Sequence, residues 1–382
     1  MPRIPLLASA VVLALAAVPF MAVDSGCAEK VVELSVIPAT PMPDLHTVGL
    51  NLTWQRQVTL DAGERITNAW RVGSSIYVAS SMSRLSRINA RSGVLSWSIG
   101  LGEENFHLFR PAEIPNPAGG TAKEVLVTSH GAAFVVNIET GEIARTADLG
   151  LSLSTDPLII GNTLCVAGPG RYIGIYLDQL KGHHWVQNDP GDLFESTPVA
   201  VENSVIVASR SGLLWRLNAE SGNWMWKDRK TNGAVTAGLA ADTRAVYIPG
   251  LDQRVYAFRT ETGGELWETT ESLGTLETTP TLAGPLALIV SNEKGLYGLA
   301  RSNGEIKWNV PGVSQVATAS DTTAWVGGRD GTIRSISLET GAVLSSAPTE
   351  GVQIYLPNAV DSSVILISRA GLVGQYSGKA AP

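Results

Sequence analysis

The stretch Ser211-Gly212-Leu213-Leu214-Trp215-Arg216-Leu217-Asn218-Ala219-Glu220-Ser221-Gly222, with Trp226 four residues past its last glycine, decides the fold. A second copy runs Asp330-Gly331-Thr332-Ile333-Arg334-Ser335-Ile336-Ser337-Leu338-Glu339-Thr340-Gly341. Outward from these two, a glycine that reads as the same turn recurs at Gly93, Gly141, Gly182, Gly222, Gly263, Gly304, Gly341 and Gly378, at intervals of 48, 41, 40, 41, 41, 37 and 37 residues. Such a period marks a repeat architecture, in which each copy buries its apolar face against its neighbours. A Trp follows the glycine at Trp97, Trp226, Trp267 and Trp308, slips by one residue to Trp185, and is replaced by Arg145 and Ser345.

Each repeat reads as four strands. In the fourth copy, Thr197 to Val201 and Ser204 to Ser209 are short apolar runs, Leu213 to Asn218 alternates, and Asn223 to Lys227 carries the Trp. Short runs bounded by Gly, Asn, Asp and Ser are strand-and-turn signals, and no stretch after residue 30 shows a helical apolar stripe of ten residues. Four antiparallel strands of this length make one propeller blade. The Glu-Thr-Gly or Glu-Ser-Gly turn between third and fourth strands needs positive φ, which glycine reaches without a Cβ clash. The Trp suits the wedge between blades, where a flat ring buries roughly 200 Å².

The ends set the blade count. The last copy, Tyr355 to Gly378, has three strands, and Leu50-Asn51-Leu52-Thr53-Trp54-Gln55-Arg56-Gln57-Val58 is a Trp-bearing strand with no blade before it. Pairing the two closes the ring and removes two exposed sheet edges, which otherwise invite aggregation. The expectation is an all-β, eight-bladed propeller closed by an N-terminal strand; seven blades is the alternative, with one copy degenerate. Residues 50–382 then form a single domain.

The leader carries a different signal. Arg3 precedes an apolar run from Ile4 to Val23, and Asp24-Ser25-Gly26-Cys27 follows, so residues 1–27 read as an export signal segment. Cleavage after Ala28 and an uncleaved anchor are the other readings of the same run. Residues 28–49, with Pro38, Pro41 and Pro43, read as a tether. The net charge of −7 over 382 residues is mild and unclustered, which argues against a nucleic-acid partner.

Residues suited to chemistry are sparse. Cys165 is the one cysteine after the leader and lies in the apolar run Leu164 to Ala167, which fits a buried, inert thiol. His183 and His184 are neighbours in a turn, near Asp189 and Asp192, but adjacent residues there point different ways and read as a polar turn rather than a metal site. Gly168-Pro169-Gly170 lacks the Lys and Ser/Thr of a phosphate loop and reads as a turn. Glu195 and Glu277 hold equivalent positions before Ser196-Thr197-Pro198 and Thr278-Thr279-Pro280, which is repeat grammar before it is an acid–base pair. No catalytic residue, cofactor or metal is assigned.

The Glu-Thr-Gly-x-x-x-Trp turn, the Ser-Thr-Pro and Thr-Thr-Pro strand starts and the closing Trp strand resemble the pyrroloquinoline-quinone-type propeller repeat family over residues 50 to 378. Within it, the layout resembles the exported eight-bladed lipoproteins of outer-membrane β-barrel assembly. That resemblance implies lipidation at Cys27, a periplasmic location with membrane contact through the N-terminus, and a scaffold role toward the barrel-inserting subunit. Leu151-Ser152-Leu153 resembles that family's partner-binding segment, with Ser154 where the family carries arginine, and Asp192 and Glu195 resemble its acidic contact loop. The quinoprotein dehydrogenases of the wider family pair adjacent cysteines with calcium, and no adjacent cysteines occur here.

The residues allow the same general reading without the likeness. Loops entering the first strand of each blade lie on one face and carry Phe106, His107, Phe109 and Arg110, then Leu151 and Leu153, Leu193, Phe194 and Glu195, Leu273, Leu276 and Glu277, and Tyr355. Apolar side chains rimmed by charge are what protein interfaces use; the competing reading is that they plug the channel or cap blade cores. The expected function is a monomeric, non-enzymatic, protein-binding scaffold. The alternatives are a quinone-binding or otherwise enzymatic propeller, and a sensor that captures a small ligand or carbohydrate in the channel.

Overall fold

A computed structural model describes residues 41–102 and 106–378, all of them within one compact unit. Eight antiparallel sheets follow one another along the chain. Seven are continuous in sequence: Ile66 to Gly100, Ala112 to Asp148, Leu158 to Leu193, Val199 to Lys230, Ala240 to Glu268, Thr281 to Val310 and Val313 to Pro348, here blades 1 to 7. Blade 8 joins Val352–Leu356, Val364–Ser368 and Leu372–Gly378 to the N-terminal strand Leu50–Gln57, which pairs from Leu50 with Gly378 to Gln57 with Leu372. The ring closes through the N-terminal strand, as the two unmatched ends of the repeat require.

Blade 3 is the irregular one. Its second and third strands run together as Thr163–Tyr176, and the element doubles back at Gly168-Pro169-Gly170, where Gly170 has φ +67° and Leu177 N–H closes the ends by donating to Asn162 O at 2.9 Å.

The core lies between blades, not within them. Eight apolar clusters each draw on two neighbouring sheets; Val205, Leu217 and Trp215 of blade 4 pack with Cys165, Tyr172 and Trp185 of blade 3, and Ile365 and Val373 of blade 8 pack with Ile76 and Ile88 of blade 1. A strand buried on both faces loses its alternation, which is why middle strands such as Ser75–Ser80 and Leu286–Ser291 are buried at every position.

Six tryptophans pin one blade to the next. The indole N–H of Trp54, Trp97, Trp185, Trp226, Trp267 and Trp308 donates to Ala90, Ile138, Ala219, Thr260, Arg301 and Leu338 O respectively, at 2.7 to 3.0 Å. Each ring also lies on the turn glycine of the next blade; a Cβ at Gly93, Gly141, Gly222, Gly263, Gly304 or Gly341 would stand 2.5 to 2.7 Å from the Trp side chain. Those glycines have φ between +65° and +76°. Turn geometry and the close approach of the ring thus both demand glycine.

Two glycines depart from the expected pattern. Gly378 is not a turn glycine; it ends the strand Leu372–Gly378, because the fourth strand of blade 8 arrives from the other end of the chain and needs no connecting turn. Gly182 keeps φ +64° but has nothing against its Cβ position, since blade 2 offers Arg145 in place of Trp. The Arg145 guanidinium donates to Asp178 O at 2.8 Å instead.

The end of the segment read as a tether is packed. Met42, Leu45 and Val48 are buried with Ala347 of blade 7 and Tyr376 of blade 8, around a short 3-10 turn at His46–Val48. Tyr376 Oη donates to Pro43 O at 2.8 Å, and Trp325 Nε1 to Val48 O at 3.4 Å. This junction is the one where Ser345 replaces the Trp and blade 8 has no turn glycine, so residues 42–49 fill the wedge that the indole fills elsewhere. Residues 1–27, read as a signal segment with Cys27, and the start of the segment read as a tether lie outside the described residues.

Candidate partner-binding face

Antiparallel strand order places the loops entering each first strand on the same face as the turns between second and third strands. The two kinds of loop are stitched together by backbone hydrogen bonds: Leu153 N to His130 O at 2.7 Å, Ser154 N to Ala167 O at 3.0 Å, Arg210 N to Leu193 O at 2.7 Å and Asn292 N to Thr275 O at 2.9 Å. The loops are therefore shaped before any partner arrives.

The structure divides the loop residues singled out from sequence. Leu153 is 8 % exposed and Phe194 only 1 %, and both belong to blade cores. The Phe194 ring sits between Trp215, at 4.9 Å between centroids, and Tyr172, at 6.2 Å. Phe109, Leu273, Leu276 and Tyr355 are buried as well. For these six the capping reading holds, because each side chain points into the wedge its blade must fill. Phe106, His107, Arg110 and Glu277 stay exposed.

Asp192 is buried and works inside its own loop. It accepts from Ser211 N at 3.0 Å, Ser211 Oγ at 2.5 Å and Leu193 N at 2.8 Å. Burial pushes its pKa up, but the hydrogen bonds from Ser209, Ser211 and the Leu193 backbone outweigh this and hold it below the usual carboxylate value. Leu151 is half-buried, with Cδ1 2.7 Å from where a Cβ of Gly168 would stand. Leu193 is 37 % exposed. Glu195 pairs with Arg210 at 3.3 Å.

These contacts make one strip across blades 2 to 4. Leu151 rests on Gly168, the adjacent exposed Pro169 pairs with Leu193, and Leu193 leads to the Glu195–Arg210 ion pair. An exposed apolar centre with a paired charge at its rim suits a protein surface. The sequence reading missed Pro169 and Arg210, because it searched the loops entering first strands and not the turns facing them. It also missed Trp224, 37 % exposed on the outer strand of blade 4, stacked edge-on over Trp215 at 4.8 Å.

Elsewhere, burial pushes the Cys165 thiol up to about 12, so it stays neutral. His184 stacks on Tyr176 at 3.9 Å. Among the described residues no three His, Cys, Asp or Glu are grouped to hold a metal ion.

Eight four-stranded blades, tryptophans seated on turn glycines and an N-terminal closing strand together define a propeller of the pyrroloquinoline-quinone type. The family model described as outer membrane protein assembly factor BamB matches residues 51–229 and 210–378. The chain belongs to that family. It is similar to proteins of that description from Moranella endobia, 27 % identical over 218 residues covering 51 % of this chain and 56 % of the relative, and from Salmonella typhimurium, 26 % identical over 380 residues covering 82 % and 95 %. Against the first of these the chain spans little more than half the relative's length. A tetrathionate hydrolase from Acidithiobacillus ferrooxidans is 24 % identical over 233 residues, covering 56 % of this chain and 44 % of that enzyme. The crystal structure of BamB from Moraxella catarrhalis superposes with a TM-score of 0.67 at 16 % identity, over 87 % of this chain and 99 % of that one, a likeness of fold alone.

Proposed function

We propose that this chain is an exported, non-enzymatic propeller that binds a protein partner in the assembly of outer-membrane β-barrel proteins. The observation that carries this reading is the strip of half-buried Leu151 with exposed Pro169 and Leu193, on loops tied by backbone hydrogen bonds and edged by Glu195 and Arg210. Preformed loops bind without a large ordering cost. Family membership and the names of the relatives supply the process. The leader supplies the location: the mature chain sits in the periplasm as a monomer, tethered through Cys27.

Leu151, Leu193 and Glu195 make the contact, while Leu153, Phe194 and Asp192 hold the loops that present them. Affinity capture from solubilised membranes with the full-length chain tests this. Recovery of a barrel-inserting outer-membrane protein by the natural sequence, and its loss with a Leu151→Glu, Leu193→Glu double variant of unchanged thermal stability, is the expected result. Equal recovery by both forms would show that another surface binds.

A further inference from the structure

On the face opposite the partner loops, turns of blades 3 and 4 enclose a cleft of about 360 Å³. Small-molecule sites span about 300–1,000 Å³, so its size admits one or two sugar rings. Asn162, Thr163, Tyr176, Asn203, Asn218 and Glu220 line it.

Blades 1 and 4 carry an arginine that blade 3, like blades 2, 5, 6 and 7 with Val135, Ala257, Gly298 and Ser335, does not. The bonds Ala90 N to Ser74 O, Leu177 N to Asn162 O and Ala219 N to Asn203 O bring blades 1, 3 and 4 into register. Three residues before these amides stand Arg87, Gly174 and Arg216. Arg87 reaches the next blade's turn at Glu139, 3.5 Å away, and Arg216 reaches Thr260 O at 2.7 Å. Blade 3 has no such arm; the Trp185 ring covers Gly174, and the space toward Glu220 stays open. One residue before the amides, Asn89 and Asn218 cap their own turns, accepting from Ser92 N at 3.0 Å and Ser221 N at 2.9 Å. Blade 3 substitutes Tyr176, fixed by its stack on His184.

The polar groups there are unspent. The Tyr176 hydroxyl, the Thr163 hydroxyl and the Asn203 amide make no hydrogen bond with any of the described residues. Asn162 uses its amide nitrogen on Asp178, leaving its oxygen, and Asn218 uses its oxygen on Ser221, leaving its nitrogen. Hydroxyls and amides thus offer donors and acceptors side by side, beside the apolar Ile160 and with neither Lys nor Arg among the lining residues. With Glu220 the one charged group in the lining, that balance disfavours an anion. It matches vicinal hydroxyl groups, each of which both donates and accepts.

We propose that this cleft binds a neutral polyhydroxylated ligand of mono- or disaccharide size, independently of the partner face. Titration calorimetry on the full chain with N-acetylglucosamine, its β-1,4-linked disaccharide and, as charged control, glucuronate tests it. The expected result is saturable binding of a neutral sugar, weakened at least fivefold by Tyr176→Phe and by Asn203→Leu, and unchanged by Leu193→Glu. Tyr176→Phe keeps the stacked ring and Asn203→Leu lies on an exposed turn, so both variants should keep the parent's thermal midpoint. No binding tighter than about 10 mM, glucuronate bound better than either neutral sugar, or binding undiminished in both variants would each overturn the proposal.

Discussion

At the residue scale, the informative pair is an indole and a glycine from different blades. Both were legible in the sequence as a periodic Trp and Gly; which blade each serves was not, because the contact crosses a whole repeat. Trp308→Ala should cost about 3–5 kcal/mol, since it empties a wedge the neighbours cannot refill, whereas Trp308→Phe should cost less and lose chiefly the bond to Leu338 O, worth about 1 kcal/mol. Denaturant midpoints of the two variants separate these terms. Arg145→Ala should cost under about 1 kcal/mol, because that exposed side chain makes one bond to a carbonyl and a long surface ion pair with Glu124 and fills no wedge. Asp192 gives a pH signature. Its folded pKa is depressed, so its contribution to stability is present above the unfolded pKa and lost as pH falls through the folded value. Asp192→Asn should therefore lower the thermal midpoint at neutral pH and converge with the parent at low pH; a constant difference would contradict the assignment.

At the element scale, strands were easy to read and their burial was not. Period and turn residues mark where Leu213–Asn218 begins and ends, but Leu153 and Phe194 look like neighbours of the half-buried Leu151 and the exposed Leu193 until the wedge between blades is in view. Alternation says that one side chain of a pair points inward; only the register of the loop says which. The segment 42–49 teaches the same lesson, since the prolines before and within it suggest slack chain while Leu45 and Val48 fill the junction where Ser345 replaces the Trp. Leu45→Asp should raise hydrogen exchange in Val343–Pro348 and Leu372–Gly378, leaving blades 3 to 5 at the parent's rates. Uniformly faster exchange around the ring would mean the segment supports no particular junction.

At the scale of the whole molecule, closure by Leu50–Gln57 joins the two ends of the chain at one seam. Such a ring leaves its loops as two opposed rims with separate chemistry. One rim carries the apolar strip at Leu151, Pro169 and Leu193, and the other the hydroxyl- and amide-lined cleft at Tyr176 and Asn203. The eight-fold ring followed from counting glycines and matching the ends, whereas neither rim's chemistry did, because both arise where turns from different strands meet. Photo-crosslinking in the native cell, from a probe placed at Leu193 and in parallel at Asn203, tests the central claim most directly. A crosslink from position 193 to an outer-membrane assembly protein, with none from position 203, is the result this account predicts. The same partner captured from position 203 and not from 193 would contradict it.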